Sequence, residues 1–576
     1  MKITYKRTII VVASFLLVFS AFASFTMDFA LAADKETRDD STIDLLTRCT
    51  GMYVGKDASA EGKQIIARSE DQGCGLCNKL FEVVPAEKGE NRTIVDEEQQ
   101  NFSVEIPDET CKYITLRDSK ELIEPYYASC INEYGLAVTA TVTTEVCDMY
   151  SYFDPVKPWG HGLREAILPA IPACQCKSAR EGVEILAKYM DKYGSGEYNT
   201  ILLSDKNEAW IFEMYGGTSY AAMKLPSDKV AVFGNQIMLG WIDFDNLGDD
   251  WVVSSNLKKC LDRLPGKVVD DKGRYHLARS IAGNLRYDFS NMRTWRGHDA
   301  WAPSKTGGYN TDTFYSLLFT PDEKVSLQDV IKLYGDRYEG TKYDMEKEGN
   351  ENVRPIGTPR QSCVHIIQTW DELPDCCCQL QWLSVGNAEH CIFVPAFSGI
   401  TDTFDKYKIH NTYEDAINDS FYYMCRRNAA LSESDREHLS RGLKDFNHDQ
   451  EERMASTIDS SIDEIKAAYD DSREAGDKYV TDMAMKMAEE QYENTKLVYD
   501  RLSYIQIYNM SDNGDMRFFK YKKGRCYVAG DDEANTEFSN TETSDKTTIY
   551  LILGILALIA IAEAVYIFIR NRKKNN

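Results

Sequence analysis

CTGMYVGKDASAEGKQIIARSED, residues 49–71, begins with a cysteine and continues as two β-prone runs, Tyr53–Gly55 and Gln64–Arg68, around a polar turn that contains glycine. That pattern predicts a hairpin with Cys49 at its leading edge. The cysteine lies shortly after a hydrophobic leader, so cleavage between Arg48 and Cys49 would give one residue both a thiol and a free α-amine. An α-amine titrates near ~8 and a thiol near ~8.5, so such an amine is poised to take the proton from its own sulfur. No histidine is required for that step.

Working outward, Lys2, Lys6 and Arg7 precede an apolar stretch from Ile9 to Phe25 and an A-x-A-like site at Ala30–Ala32, the pattern of a secretory signal peptide. Residues 1–32 are therefore expected to be a signal peptide and 33–48 a propeptide. Near the other end, Ile549–Ile569 is apolar almost without interruption, and at ~1.5 Å per residue it is long enough to cross a ~30 Å hydrocarbon core. Arg570, Arg572, Lys573 and Lys574 follow and should stay cytoplasmic. The expectation is a body outside the membrane on one C-terminal anchor, with the transmembrane helix at 547–569 and a basic tail at 570–576.

The chain has 576 residues, of which 43% are hydrophobic and 11% aromatic, so it can fill a large core. Its net charge of −25 repels a phosphate backbone, which excludes nucleic acid as a partner. Sixteen cysteines in an exported chain suggest disulfides, although their pairing cannot be read from spacing. Cys74-Gly-Leu-Cys77 is read as loop bonding, since no second C-x-x-C follows at zinc spacing. No histidine pair has ligand spacing, so neither a catalytic metal nor another cofactor is expected.

Between 49 and 430, strand-like and helix-like segments alternate. Gly135–Thr143, and Asn199–Phe212 with a turn at Asp205–Asn207, read as strands. Lys177–Tyr193 has helical spacing and ends at Gly194. This mixture predicts an α+β sandwich. Residues 431–508 read as an acidic helical region with a stripe of Ile458, Ile462, Ile465 and Tyr469, interrupted at Gly476, and residues 509–546 read as a stalk.

Arg68 and Asp71 close the hairpin as R-S-E-D. A guanidinium near the sulfur favours thiolate, and a carboxylate can hold an ammonium. At this point the chain resembles the PepD-type dipeptidases, cysteine N-terminal nucleophile (Ntn) hydrolases related to secernins and more distantly to penicillin V acylases and bile salt hydrolases. Besides residues 49–71, the resemblance runs in order through INEYGLAVTATVTTE (131–145), KNEAWIFEMYGG (206–217), KLPSDKVAVFGNQ (224–236), IDFDN (242–246), RTWRGHDAWAPS (293–304), RYEGTKYD (337–344) and FVPAFSGI (393–400). It covers about 49–430.

The resemblance implies a four-layer αββα Ntn-hydrolase sandwich, maturation that exposes Cys49, and hydrolysis of short peptides, chiefly dipeptides. Residue by residue, it makes Cys49 nucleophile and base, Arg68 and Asp71 its supporting pair, and Asn235 an oxyanion donor. Three positions depart from the pattern. Ser69 stands where these dipeptidases have Asn, Val142 falls where the acylases place Asn or Tyr, and the acylases' distal arginine could be Arg279, Arg293 or Arg296. Glu213 is a candidate to receive the free amine of a dipeptide. Two other readings stay open: an acyl-amide hydrolase of the penicillin or bile salt type on the same fold, and an Ntn-fold surface binding protein that has lost activity. Oligomeric state is not readable.

Overall fold

The computed structural model describes residues 48–71, 79–99, 102–119, 126–142, 146–283, 288–350, 352–410, 418–511, 516–522, 525–530 and 536–538. The chain divides into two units at the Arg48–Cys49 bond. The expected signal peptide, nearly all of the propeptide, the transmembrane helix, the basic tail and Cys74 and Cys77 lie outside the described residues. Among the described residues no helix is long and apolar enough to cross a membrane.

The second unit is built on two antiparallel sheets. One has seven strands in the order Leu318–Phe319, Val230–Phe233, Thr50–Val54, Gln64–Asp71, Gln361–Thr369, Gln379–Ser384 and Val394–Phe397. The other has eight, running Trp251–Val253, Tyr220–Lys224, Ala209–Met214, Asn199–Ser204, Ala137–Val142, Tyr127–Asn132, Tyr113–Asp118 and Lys79–Val84. Side-chain alternation assigns the two faces of each strand. In the eight-stranded sheet Leu202 and Ile211 join Tyr53, Ile66 and Ile367 in a core between the sheets. Their neighbours Ile201, Leu203, Trp210 and Phe212 join Val183, Leu186 and Met190 of the helix Ala179–Tyr193 in a second core. Both faces are covered, which is why TILL and AWIF read as continuous apolar runs.

On the outer side of the seven-stranded sheet lies the helix Asp288–Trp301, which contacts Val230–Phe233, and the helix Arg473–Asn509, which contacts Val394–Phe397. Gly297 permits the first of these contacts, since a Cβ there would sit 2.3 Å from Cβ of Val232. The α+β sandwich expected from the sequence is therefore present, as helix, sheet, sheet, helix. Ser178 caps the Ala179–Tyr193 helix by accepting from Glu181 N at 3.2 Å, and Gly194 ends it at φ 74°.

The C-terminal part departs from expectation in two places. Gly476 does not break the helical pattern. The break is at Ser472, which separates Arg441–Asp471 from Arg473–Asn509 and caps the latter through Ala475 N at 3.0 Å. Gly476 lies inside the second helix because a Cβ there would fall 2.3 Å from the Tyr469 ring. The segment read as a stalk contains three paired strands, Arg517–Lys522, Arg525–Gly530 and Thr536–Phe538, because Phe519 and Cys526 are buried against Leu439, Leu443, Phe446 and Leu502. The disulfides suggested by export are also not seen: every described cysteine is a free thiol, and all but Cys147 are buried.

The helix Arg441–Asp471 carries a fully buried carboxyl, Glu451, which accepts a hydrogen bond from Phe393 N at 3.1 Å. Burial pushes Glu451 up to about 8, against the smaller opposing effect of that amide. A carboxyl raised in the folded state stabilises when protonated, so its contribution is complete below ~4.3 and is lost as pH rises through about 8. Glu451→Gln should remove that loss. In melting experiments the variant is expected to gain on the native protein as pH rises from 5 to 8.5; a gap that does not change with pH would contradict the assignment.

Candidate active site

Strand register assembles the site around Cys49, which is itself 8% exposed. Gly51 pairs with Phe233, and continuing that antiparallel register two residues beyond the ladder brings Asn235 level with Cys49. Only glycine fits at position 51, because a Cβ would lie 2.3 Å from the Phe233 ring. On the other side Thr50 pairs with Ser69, and Thr50 N donates to Ser69 Oγ at 3.2 Å. Ser69 thus pins the first residue after the cysteine.

Arg68 and Asp71 have opposite parity on one strand and face different ways. Arg68 reaches into the space between the sheets. Its Nη2 donates to Cys49 Sγ at 3.1 Å and also to Glu165 Oε1, and its Nη1 donates to Ala128 O at 3.3 Å. Glu70, on the same face, has Oε2 3.5 Å from Arg68 Nη1 and Oε1 bound by Lys79 Nζ, which also holds Asp118. Asp71 pairs with Arg354 instead. The R-x-x-D pair is consequently not one ion pair but two separate anchorages.

Of the three candidate arginines, Arg293 is the one placed at Cys49. Arg293, on the helix Asp288–Trp301, donates from Nη1 to Cys49 O and to Thr50 Oγ1 (2.7 Å), and from Nη2 to Asn235 Oδ1 at 3.1 Å. Arg296 is taken by Asp336 and Asp299, and Arg279 lies exposed over the Phe314 ring. With Oδ1 of Asn235 engaged by Arg293, its Nδ2 faces Thr141 Oγ1 at 3.5 Å, a long contact for a buried amide. The side chain of Val142 is outside the described residues.

Glu213 is placed differently from expectation. It is buried, Oε1 accepts from Met238 N (2.7 Å) and Leu239 N, and Oε2 accepts from Tyr215 OH (2.9 Å). Burial pushes it up to about 7 against these bonds. Both oxygens are used in holding the turn after Asn235, so none is left to receive a substrate amine. Trp210 is core, and Trp241 is partly exposed.

Linked through these contacts are four cations, Arg68, Lys79, Arg293 and Arg354, and four carboxylates, Glu70, Asp71, Asp118 and Glu165, each at most 5% exposed. Among these described residues the formal charges cancel while the Cys49 thiol is neutral. Burial accordingly pushes the thiol above its ordinary value; Arg68 pulls it down, and Glu165, Asp71 and Glu70 push it up. Burial likewise raises Asp71, opposed by Arg354 and Arg293. His365, opposite Arg68 in the neighbouring strand, is kept neutral by burial and by the nearby Arg68 and Lys79, and its Nε2 meets Thr139 Oγ1 at 2.9 Å rather than the sulfur.

Residues 48–449 match peptidase family C69. The chain belongs to that family. It is accordingly a peptidase, and a cysteine at this position is consistent with the family. Probable dipeptidase B of Lactococcus lactis is 30% identical over 398 residues, covering 67% of this chain and 81% of that protein. Probable dipeptidase B of Streptococcus pyogenes serotype M1 is 28% identical over 389 residues, covering 65% and 76%. Dipeptidase A of Lactobacillus helveticus is 27% identical over 366 residues, covering 62% and 76%. Among solved structures, a variant of the conjugated bile acid hydrolase from Clostridium perfringens aligns over 61% of this chain and 92% of its own at 11% identity, with a TM-score of 0.30.

Glu165, Arg354, Lys79 and Asp118 were not singled out from sequence. Each comes from a segment without a motif, and only the folded register brings them together. Among the described residues Glu389, His390 and Glu433 offer three donor atoms within 4.8 Å of one another, and Arg337, Arg436 and Lys444 pair with those carboxylates.

Burial opposes the charge of Lys79, but Asp118 and Glu70 outweigh it and raise its pKa. Lys79→Met would leave both carboxylates buried without their cation, which should cost about 3–5 kcal/mol. Urea denaturation measures this. A loss below ~1 kcal/mol would mean that Glu70 and Asp118 are neutral in the folded protein.

Proposed function

We propose that this peptidase is a dipeptidase that cleaves short peptides, chiefly dipeptides, with Cys49 as its nucleophile once residues 33–48 have been removed. The contact that carries this reading is Arg68 Nη2 to Cys49 Sγ at 3.1 Å, inside a set of buried charges that, with all four carboxylates ionised, cancel while the thiol is protonated. A thiolate would add one uncompensated negative charge. A free α-ammonium on the same residue supplies the missing positive one, so removal of the leader makes the ionised pair electrically acceptable.

In the proposed reaction the α-amine takes the thiol proton and the sulfur attacks the substrate carbonyl carbon. The carbonyl oxygen becomes an oxyanion that accepts from Asn235 Nδ2, whose amide Arg293 holds in orientation through Oδ1. The amine then returns its proton to the leaving nitrogen as the C–N bond breaks. Water attacks the resulting thioester, giving its proton to the amine, and the acyl group leaves as a free acid while the thiol is restored. Asp71, neutralised by Arg354, steadies the end of the strand beside this chemistry.

The dipeptidase names of the relatives from Lactococcus, Streptococcus and Lactobacillus support the substrate class. We further place the catalytic unit outside the cell on a single membrane helix at 547–569, on the strength of the N-terminal leader and the apolar run followed by basic residues.

Purified ectodomain beginning at Cys49 should hydrolyse dipeptides, and the same protein retaining Arg48 should not. Cys49→Ala should abolish hydrolysis by the processed form. Full turnover by protein whose N-terminal sequence still includes the propeptide would overturn the mechanism, and a panel in which only penicillin V or bile salt conjugates are cleaved would overturn the substrate class. Asn235→Ala should lower kcat by about 100- to 1,000-fold; steady-state kinetics in which only KM changes would remove it from the oxyanion site. Activity found in the membrane fraction, and protease-accessible on intact cells, would agree with the proposed location.

A further inference from the structure

Resting on Cys49 as nucleophile, the geometry points to a further residue of the same reaction. We propose that Glu165 is a positioning residue: it holds Arg68 against the Cys49 sulfur and, by competing for the same guanidinium nitrogen, sets how readily that sulfur ionises. Glu165 lies in the loop that precedes the helix Ala170–Ala173 and is 2% exposed. Its Oε1 and Cys49 Sγ accept from one atom, Nη2 of Arg68. The other terminal nitrogen of Arg68 is committed to Ala128 O and approaches Glu70. The guanidinium therefore cannot rotate to serve the two anions separately.

One cation shared between two anions satisfies one of them in full. An ionised Glu165 neutralises Arg68 and leaves the sulfur as a thiol. A neutral group at 165 frees the positive charge for a thiolate. The groups that face Glu165 are Arg68 and Glu70 from the Gln64–Asp71 strand, Glu197, whose Oε1 accepts from Glu165 N at 2.6 Å, Tyr126, and Cys49 itself. Of these only Arg68 is a cation. Burial pushes the Glu165 carboxyl up to about 7; Arg68 opposes that shift, and Glu70 and Glu197 add to it. The competition is thus settled within the range in which peptidases of neutral media work.

The test uses the ectodomain beginning at Cys49. The rate of iodoacetamide addition to Cys49, followed by mass spectrometry of its peptide, is recorded between pH 5 and 10. Glu165→Gln keeps the shape and one acceptor but removes the charge, so the midpoint should fall by at least one pH unit, a roughly tenfold gain in thiolate below both midpoints. Glu165→Asp draws the carboxylate back by one methylene and should shift the midpoint the same way by less, so the inference can still be tested if the Gln variant does not fold. Variants that melt like the native protein but show an unmoved or raised midpoint would overturn it. The underlying reading fails separately: if fully alkylated Cys49 still supports hydrolysis, Cys49 is not the nucleophile, whatever the midpoints do.

Discussion

Charge neutrality in a space closed to water governs this site. Moving a single ion out of water costs several kcal/mol even after relaxation, so ions survive in a protein core only as compensated sets. Here Arg68, Lys79, Arg293 and Arg354 are matched by Glu70, Asp71, Asp118 and Glu165, and the uncharged thiol of Cys49 lies between the sheets among them. Ionising that thiol with the backbone still continuous through Arg48 breaks the match. A new terminal ammonium restores it. In the proposed mechanism this electrostatic condition favours the thiol in an uncleaved chain.

The sandwich is what allows so many charges to be placed without water. Each strand of the site presents one face to the space between the sheets and the other to a helix. Arg68 and Glu70 therefore work from within, while Ser69 and Asp71 work from the side of the helix that carries Arg293. Cys49 is gripped from both. Its sulfur is held by Arg68, and its carbonyl and the next residue are held by Arg293, Ser69 and Tyr334, whose hydroxyl donates to Thr50 O at 3.3 Å. Gly51 and Gly297 contribute by omission, letting the Phe233 ring and the Asp288–Trp301 helix come close enough for Asn235 and Arg293 to reach the same residue.

Much of this was legible before folding, because it depends on local pattern. The opening hairpin, the paired runs TILL and AWIF, and the helix closed by Gly194 follow from periodicity and turn chemistry, and Cys49, Arg68 and Asn235 follow from ordered motifs. What was not legible depends on distance in space. Glu165 and Glu213 are both carboxylates in motif-poor or strand-like sequence, and nothing local says that one meets Arg68 while the other is consumed by backbone amides. The choice among Arg279, Arg293 and Arg296 was likewise open, since three arginines within one short stretch differ only in which way their helices turn them. Gly476 misled because glycine ordinarily weakens a helix, whereas here a tyrosine ring occupies the volume a side chain would need. The stalk misled because its composition is polar on average, although Phe519 and Cys526 suffice to fasten a small sheet onto the helices.

The same electrostatic condition also constrains how the reaction can proceed. In the proposed mechanism, with the ammonium and thiolate formed, the site is again neutral, and attack on a carbonyl only relocates the negative charge from sulfur to oxygen. In the proposed reaction the oxyanion forms beside Asn235, whose amide is held by Arg293, so the charge would move from the neighbourhood of one arginine toward that of another. No step requires a net charge to enter or leave the buried region until the product does. A site of this kind favours reactions that carry one negative charge over a short distance between two fixed cations, and amide cleavage by a cysteine that bears its own base has that form.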